Sequence, residues 1–289
     1  MLWWQYLLFV AVGIVFFSFL GSFLPATGFI GYDWVYFFST SEQEYGVSYY
    51  PPWIEYVGYL TWPGLLGLTF TGLALSLYQR RASLLVMGLA FFTLPALWII
   101  FLGQVEGLIV FGLTGLPWLA PLVTIKPQVG YLAFLARKKD LVVLLIWLAI
   151  SVVIWGLWPL NMLTINNFTV LEEPHDISLW PWSLPLVAVL LWLSRGDEDM
   201  LMLAGIFALP YLHSYHYFVV LPALARLTKG VAVLAVVISW LPLTANWLGP
   251  WAWQLGHLFP LILWFNLYLQ RRAFLHAGQG QPLSADTSS

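Results

Sequence analysis

Long apolar stretches alternate with short polar ones along most of the chain. Many of the apolar stretches approach the roughly 20 residues that a helix needs to cross the hydrocarbon core of a bilayer. The pattern predicts an all-α fold, a polytopic transmembrane bundle of about nine to eleven membrane helices. The ordinary spans are predicted at residues 2–24, 57–78, 82–102, 141–158, 180–194, 230–247 and 255–270.

One apolar segment is interrupted twice, and we expect short, broken helices in it. Residues 107–136 form three pieces, which are divided by a Gly-Leu-Pro turn at 115–117 and by Lys126-Pro127. Because proline breaks or kinks a helix, each piece is expected to be bent or to enter only half of the membrane. Such backbone is tolerated where it is buried in protein or lines a cavity.

The predicted organisation is a single transmembrane helical domain over residues 1–272. Its two long polar loops, at 25–56 and 159–179, are expected on the outer side of the membrane. The polar residues 273–289 are expected to form a cytoplasmic tail without regular structure.

The composition and the charge pattern support this membrane topology. Hydrophobic residues make up 61% of the chain and charged residues only 8%, against roughly 25% charged residues in a soluble domain. Ten of the eleven Lys and Arg residues fall in alternate loops, at 80–81, 137–139, 195, 226–229 and 271–272. Because basic loops stay in the cytoplasm, we predict a multi-pass cell-membrane protein with both termini cytoplasmic and its acidic loops outside.

Several classes of function are excluded by what the sequence lacks. The net charge is −2 and the chain has no basic patch, so nucleic acid is not an expected partner. There are no cysteines, which excludes disulfides, thiolate metal sites and cysteine nucleophiles. Membrane lipids are the expected surroundings, and other membrane proteins are possible partners.

An acidic and aromatic stretch at residues 31–53 is the first polar interruption of the chain. Its Asp33 follows the first helix, and a carboxylate among aromatic rings is a candidate general base, although a capping or solvated aspartate fits the same position. Glu42 and Glu44 are interpreted as solvated. Glu55 could line a site or could favour the N-terminus of the next helix.

Lys126 is the one basic residue that falls inside an apolar segment. A cation at membrane depth costs roughly 2.5–3.5 kcal/mol, so Lys126 is expected to face a cavity or a partner. It could bind the phosphate of a lipid carrier, or it could snorkel, or it could form a structural pair with Glu106. Gln104 and Glu106 belong to a short polar turn, where they could serve a site or bond to backbone.

Residues 200–226 carry another interruption, expected at 213–217 between two short helices. His213 and His216 are three residues apart, so they share a face if they are helical. Two histidines are a weak metal signal because catalytic zinc has three protein ligands, so no metal is predicted. Contact with a phosphate or a sugar is the preferred interpretation.

Five short motifs occur in an order that is found in a known family. They are Asp33-Trp34-Val35-Tyr36, Tyr50-Pro51-Pro52, Gly103-Gln104-Val105, Lys126-Pro127-Gln128 and His216-Tyr217-Phe218-Val219-Val220-Leu221-Pro222. In their order and predicted membrane side, they resemble the polyprenyl-phosphate-dependent glycosyltransferases of family 87, in the GT-C superfamily. The resemblance covers roughly residues 30–225 and implies a GT-C-like fold.

In that family, an acceptor hydroxyl attacks the anomeric carbon of a sugar held on a polyprenyl phosphate outside the membrane. The resemblance implies a transferase for a hexose such as mannose, with a lipid or glycan acceptor and with no cofactor beyond the lipid-linked donor. It implies that Asp33 is the catalytic general base and that Lys126 and His216 steady the departing phosphate. The predicted substrate-binding residues are Lys126, His216, Gln104, Tyr36, Glu55 and His213.

Two departures from the family pattern keep other functions open. The chain is shorter than typical members, and Glu106 stands where the family usually has asparagine. A shortened member could be a non-catalytic subunit of a larger membrane complex. Broken helices around Lys126 would also suit a transporter of lipids or solutes. An enzyme should need Asp33, whereas a subunit should tolerate its loss.

Overall fold

The chain folds into helices throughout the part described by a computed structural model, residues 2–39, 50–160 and 175–279. No strand occurs in these residues, so the all-α prediction is confirmed. The α-helices are α1 (Trp3–Gly21), α2 (Trp62–Gln79), α3 (Leu84–Phe91), α4 (Leu94–Leu102), α5 (Glu106–Gly112), α6 (Pro127–Gly130), α7 (Lys138–Trp155), α8 (Leu184–Ser194), α9 (Glu198–Ile206), α10 (Lys229–Ser239), α11 (Ala245–Leu248) and α12 (Leu258–Gln279).

Helices of tighter or wider pitch connect these elements. A π-helical turn covers Trp34–Phe38. The 3₁₀ helices are Pro52–Tyr59, Pro117–Ile125, Tyr131–Leu135, Ser214–Arg226, Leu241–Thr244 and Pro250–His257.

Within the described residues, two helical stretches are long and apolar enough to cross a membrane, α1 and Lys229–Leu248. The number rises to four if each of two bent pairs counts as one span. The 52–59 helix and α2 meet at 108°, and α3 and α4 meet at 44°. Only 11% of α1 is buried, so its apolar side chains face outward, as they would towards lipid. The larger number of nine to eleven membrane helices and the GT-C-like arrangement stay predictions.

The predicted span at 82–102 is divided into two helices, because polar capping interrupts it. The chain turns between α3 and α4, where the Thr93 side chain accepts a hydrogen bond from the Ala96 N–H and Pro95 lies in the first turn of α4. Threonine at a helix N-cap and proline in the first turn favour the start of a new helix. Apolar content alone did not reveal this break.

Other predicted boundaries are partly confirmed and partly wrong. The three pieces predicted in 107–136 are present, with breaks at both predicted positions. The interruption predicted at 213–217 lies earlier, because Ser214 already begins a 3₁₀ helix. Residues 273–279, which were predicted as part of the tail, are helical, since α12 continues to Gln279. The loop residues 40–49 and 161–174, which include Glu42 and Glu44, lie outside the described residues, as does the end of the tail.

Three arginines and four acidic residues form an ionic network, here called the arginine cluster. Glu198 binds Arg80 and Arg137 at 3.2 and 2.7 Å, and Asp199 binds Arg80 and Arg226 at 2.9 and 3.1 Å. Asp140 and Asp197 complete the cluster by pairing with Arg137 and Arg226, respectively. The cluster joins the last residues of α2 and of the 214–226 helix to the starts of α7 and α9.

Lower pH is expected to weaken the arginine cluster through Asp197. Burial acts to raise the pKa of Asp197, but hydrogen bonds from Arg226 and from the Met200 N–H bring that pKa below its ordinary value of 3.8. A lowered folded-state pKa stabilises the fold above the ordinary value, and this contribution is lost as pH falls through the folded-state pKa. Thermal unfolding in detergent should therefore show Asp197→Asn less stable than the wild type near neutral pH. The gap should close below about pH 4, and a gap that stays constant would contradict this role.

Close packing of α2 on α5 depends on glycine. A Cβ atom at Gly107 would overlap the side chain of Thr69, and one at Gly72 would lie 2.9 Å from the Phe111 backbone nitrogen. Overpacking of this kind typically costs about 1–3 kcal/mol. We expect Gly107→Ala to lower the unfolding free energy by about that amount, measured by denaturation in detergent.

A matched control is available on α3. A Cβ atom at Gly88 would meet no atom within 4 Å, so Gly88→Ala should be neutral or should stabilise by up to about 1 kcal/mol through helix propensity. Equal effects of Gly107→Ala and Gly88→Ala would show that the α2–α5 contact is not tight.

Candidate functional site

Two glycines in the left-handed conformation bring Asp33 to the end of α4. Gly103 ends α4 with φ 72°, and Gly31 has φ 72°. The Gly31 N–H donates to the carbonyls of Ile100 and Phe101, at 3.1 and 2.9 Å, and so occupies acceptors that the helix end leaves open. The backbone after Gly31 therefore passes directly beside residue 104.

Gln104 links Asp33 to Lys126. Its side-chain amide nitrogen donates a hydrogen bond to Oδ2 of Asp33, and its amide oxygen accepts one of 2.6 Å from Nζ of Lys126. Asp33 is half-buried and Gln104 is buried. The amide group of Gln104 thus holds the Asp33 carboxylate through its nitrogen, which is a donor, and the Lys126 ammonium through its oxygen, which is an acceptor.

Proline chemistry places Lys126 at a break between two helices. The residue before a proline is pushed away from helical dihedrals, and Lys126 has φ −134° and ψ 77° just before Pro127. Its side chain is 6% exposed. The ammonium also lies 5.5 Å from the ring centre of Tyr50 and 5.0 Å from that of Tyr215, within the range of cation–π attraction.

Glu106 provides the counter-charge. Its Oε1 lies 2.6 Å from Nζ of Lys126, and the side chain is completely buried. Its other oxygen, Oε2, is buried and has no hydrogen-bond partner among the described residues. The pair of Lys126 with Glu106, one of the three interpretations offered for this lysine, is therefore present in the structure. It uses Oε1 of Glu106 and leaves Oε2 able to accept a further hydrogen bond.

His216 approaches the same carboxylate from the 214–226 helix. Nε2 of His216 is 3.7 Å from Oε1 of Glu106, and its Nδ1 accepts a 2.9 Å hydrogen bond from the His213 N–H. With Nδ1 as the acceptor, the neutral ring carries its proton on Nε2, which faces Glu106. The His213 ring lies 5.3 Å from the Tyr215 ring, stacked on it.

The site residues Asp33, Gln104, Glu106, Lys126 and His216 are here called the lysine cluster. It lies at the other end of the helices that reach the arginine cluster. The 13-residue Ser214–Arg226 helix has His216 near one end and Arg226 at the other, about 20 Å apart at the 3₁₀ rise. α2 has 18 residues and spans about 27 Å. The two clusters are thus separated by no more than the thickness of a bilayer's hydrocarbon core.

Two predicted site residues have other surroundings. The Tyr36 ring is 54% exposed and lies 4.7 Å from the ring of Tyr32. Glu55 is exposed on the 52–59 helix. The structure therefore brings Asp33 together with the buried polar residues, whereas Tyr36 and Glu55 lie at exposed positions.

Sequence reasoning left the role of Glu106 open between a site, a bond to backbone and a structural pair with Lys126. It gave Tyr50 only a place in the Tyr-Pro-Pro motif and gave Tyr215 no site role. Neither tyrosine stood out, because aromatic residues are frequent throughout the chain. Among the residues described, no group of three or more His, Cys, Asp or Glu side chains is arranged to hold a metal ion.

The lysine cluster can accept a proton at one end and neutralise an anion at the other. Asp33 supplies a half-buried carboxylate, while Lys126 supplies a buried ammonium one amide group away. Comparison with models of protein families, with curated proteins and with solved structures found no match to this chain.

Proposed function

We propose that the chain is a membrane glycosyltransferase. It moves a hexose such as mannose from a polyprenyl-phosphate donor to the hydroxyl of a lipid or glycan acceptor, on the extracytoplasmic side. The observation that supports this most directly is the connection of Asp33 through Gln104 to Lys126. It places a candidate base and a candidate phosphate ligand in one site.

The reaction assigns a separate task to each of the two ends. Asp33 takes the proton of the acceptor hydroxyl, whose oxygen forms the new bond to the anomeric carbon. The bond from that carbon to the donor phosphate breaks, and the phosphate oxygen leaves with the electron pair. Lys126 offsets the negative charge that grows on the departing phosphate.

The position of the cluster suits a substrate that is anchored in lipid. Gly107, next to Glu106, packs against Thr69, which is seven residues along α2 from Trp62 and so about 10 Å from the start of that helix. Asp33 is nearer the start of α2, since the neighbouring Trp34 ring lies 6.4 Å from that of Trp62. A polyprenyl phosphate held at the membrane surface would reach Lys126 with its head group, while a polar acceptor approaches Asp33.

The direct test is sugar transfer by the purified protein. The protein in detergent is supplied with labelled polyprenyl-phosphate mannose and a membrane lipid extract as the acceptor. We expect a labelled product to form together with one equivalent of free polyprenyl phosphate. Absence of transfer with mannose, glucose and galactose donors alike would overturn the proposal.

A second candidate is a non-catalytic subunit of a membrane complex, and one observation favours it. The Lys126 ammonium is bonded internally to Glu106 and Gln104, as in a purely structural ion pair. This function predicts a stoichiometric protein partner after mild extraction and no sugar transfer by the isolated chain.

A further inference from the structure

Glu106 occupies the position beside Lys126 that a phosphate would need. The carboxylate is in contact with the ammonium through Oε1, while Gln104 holds a second ammonium proton at the same 2.6 Å distance. The rings of Tyr50 and Tyr215 cover further sides of the ammonium. An incoming anion must therefore share Lys126 with Glu106 or displace it.

The charges of the cluster make this sharing unfavourable. Lys126 contributes one positive charge, Asp33 and Glu106 contribute two negative charges, and His216 is neutral when its Nδ1 accepts a hydrogen bond. The cluster is then net negative before any ligand enters. Two anions on one buried ammonium repel each other strongly, because little water is present to screen them.

We propose that an anionic phosphodiester binds at Lys126 together with one proton, which Glu106 takes up. This inference rests on the proposed function only for the chemical class of the ligand. The proton is placed on Oε2 of Glu106, the buried oxygen that has no hydrogen-bond partner in the described part of the chain. Once protonated, Oε2 becomes a donor to a phosphate oxygen, and the repulsion between the two anions is removed.

The surrounding groups favour Glu106 over any other proton acceptor. Protonation of Nδ1 of His216 would replace its 2.9 Å hydrogen bond from the His213 N–H with a longer contact of 3.3 Å to the His213 carbonyl. Asp33 is separated from Lys126 by the Gln104 amide and is only half-buried. The titratable and charged groups that surround Glu106 are Lys126, His216, His213, Tyr50, Tyr215, Tyr211 and Asp33.

Calorimetric titration of the wild-type protein tests the proposal without any substitution. The probe is a short-chain prenyl-phosphate mannose, a phosphodiester that does not itself titrate near neutral pH. Titrations at one pH in two buffers of different ionisation enthalpy give the number of protons taken up per ligand bound. We expect one proton, and an affinity that falls about tenfold for each pH unit on the alkaline side. Binding without proton uptake would overturn this inference alone, whereas no binding at any pH would overturn the proposed function with it.

Two variants identify the group that takes up the proton. Glu106→Gln should bind the probe more tightly than the wild type at alkaline pH and should lose both proton uptake and pH dependence. The comparison variant His216→Gln should keep both. If proton uptake persists in Glu106→Gln, another group carries the proton and the assignment is wrong. If Glu106→Gln fails to fold, the number of protons measured for the wild type still decides whether proton uptake occurs. Loss of proton uptake in His216→Gln would then show that Glu106 is not the group that takes up the proton.

Discussion

Replacing Asp33 with asparagine is expected to reduce sugar transfer by about 10²- to 10⁴-fold, the usual contribution of a general base. Asparagine keeps the size of the side chain, and its amide oxygen can still accept the hydrogen bond from Gln104. The acceptor hydroxyl then finds no carboxylate to take its proton. The rate of labelled product formation is the measurement, made at saturating donor so that weaker donor binding does not enter.

The control for this variant is the same substitution in the arginine cluster. Asp140→Asn removes an aspartate that pairs with Arg137, far from the lysine cluster. It should leave transfer within about twofold, since it touches neither the base nor the phosphate ligand. Equal rates for wild type and Asp33→Asn, with both proteins folded, would place the base elsewhere.

Replacing Lys126 with methionine is expected to destabilise the protein by about 3–5 kcal/mol, because it leaves a buried carboxylate without its cation. Glu106 is completely buried, and its Oε1 would lose the 2.6 Å contact with Nζ. The Nε2 of His216, at 3.7 Å, would remain as a donor near Glu106 among the residues that the structure describes. Denaturation in detergent measures the effect.

The double variant Lys126→Met/Glu106→Leu separates the cost of an unpaired charge from the cost of lost packing. Replacing both members of a buried pair with apolar residues is often close to neutral. We therefore expect the double variant to recover most of the lost stability while remaining inactive. Lys229→Met, at the exposed start of α10, is the control for removing a lysine and should have little effect. A Lys126→Met protein as stable as the wild type would show that Glu106 is protonated or hydrated in the fold.

The sequence was sufficient to predict those features that follow from apolar length and from proline. It predicted helices throughout, the breaks at 115–117 and at Lys126, and a pair between Lys126 and Glu106 as one of three alternatives. These features depend on local chemistry: proline cannot continue a helix, and a lone buried cation needs an anion.

Features that hydropathy does not register, or that depend on tertiary contacts, were not predicted. The division of the 82–102 segment follows from a local threonine cap and from Pro95, neither of which changes the apolar pattern. The position of Asp33 depends on Gly31 and Gly103 meeting across 72 residues. The exposure of Tyr36 and Glu55 likewise follows from how the outer elements pack rather than from their residue types.

The short sequence separation of Glu106 and Lys126 has a consequence for biosynthesis. They are 20 residues apart, and a ribosome adds about 5–20 residues per second. The carboxylate therefore emerges first, and the lysine follows within a few seconds, before His216 or any part of the last helices exists. The lysine and its counter-charge are therefore available to each other early, so neutralisation of Lys126 does not have to wait for the later helices.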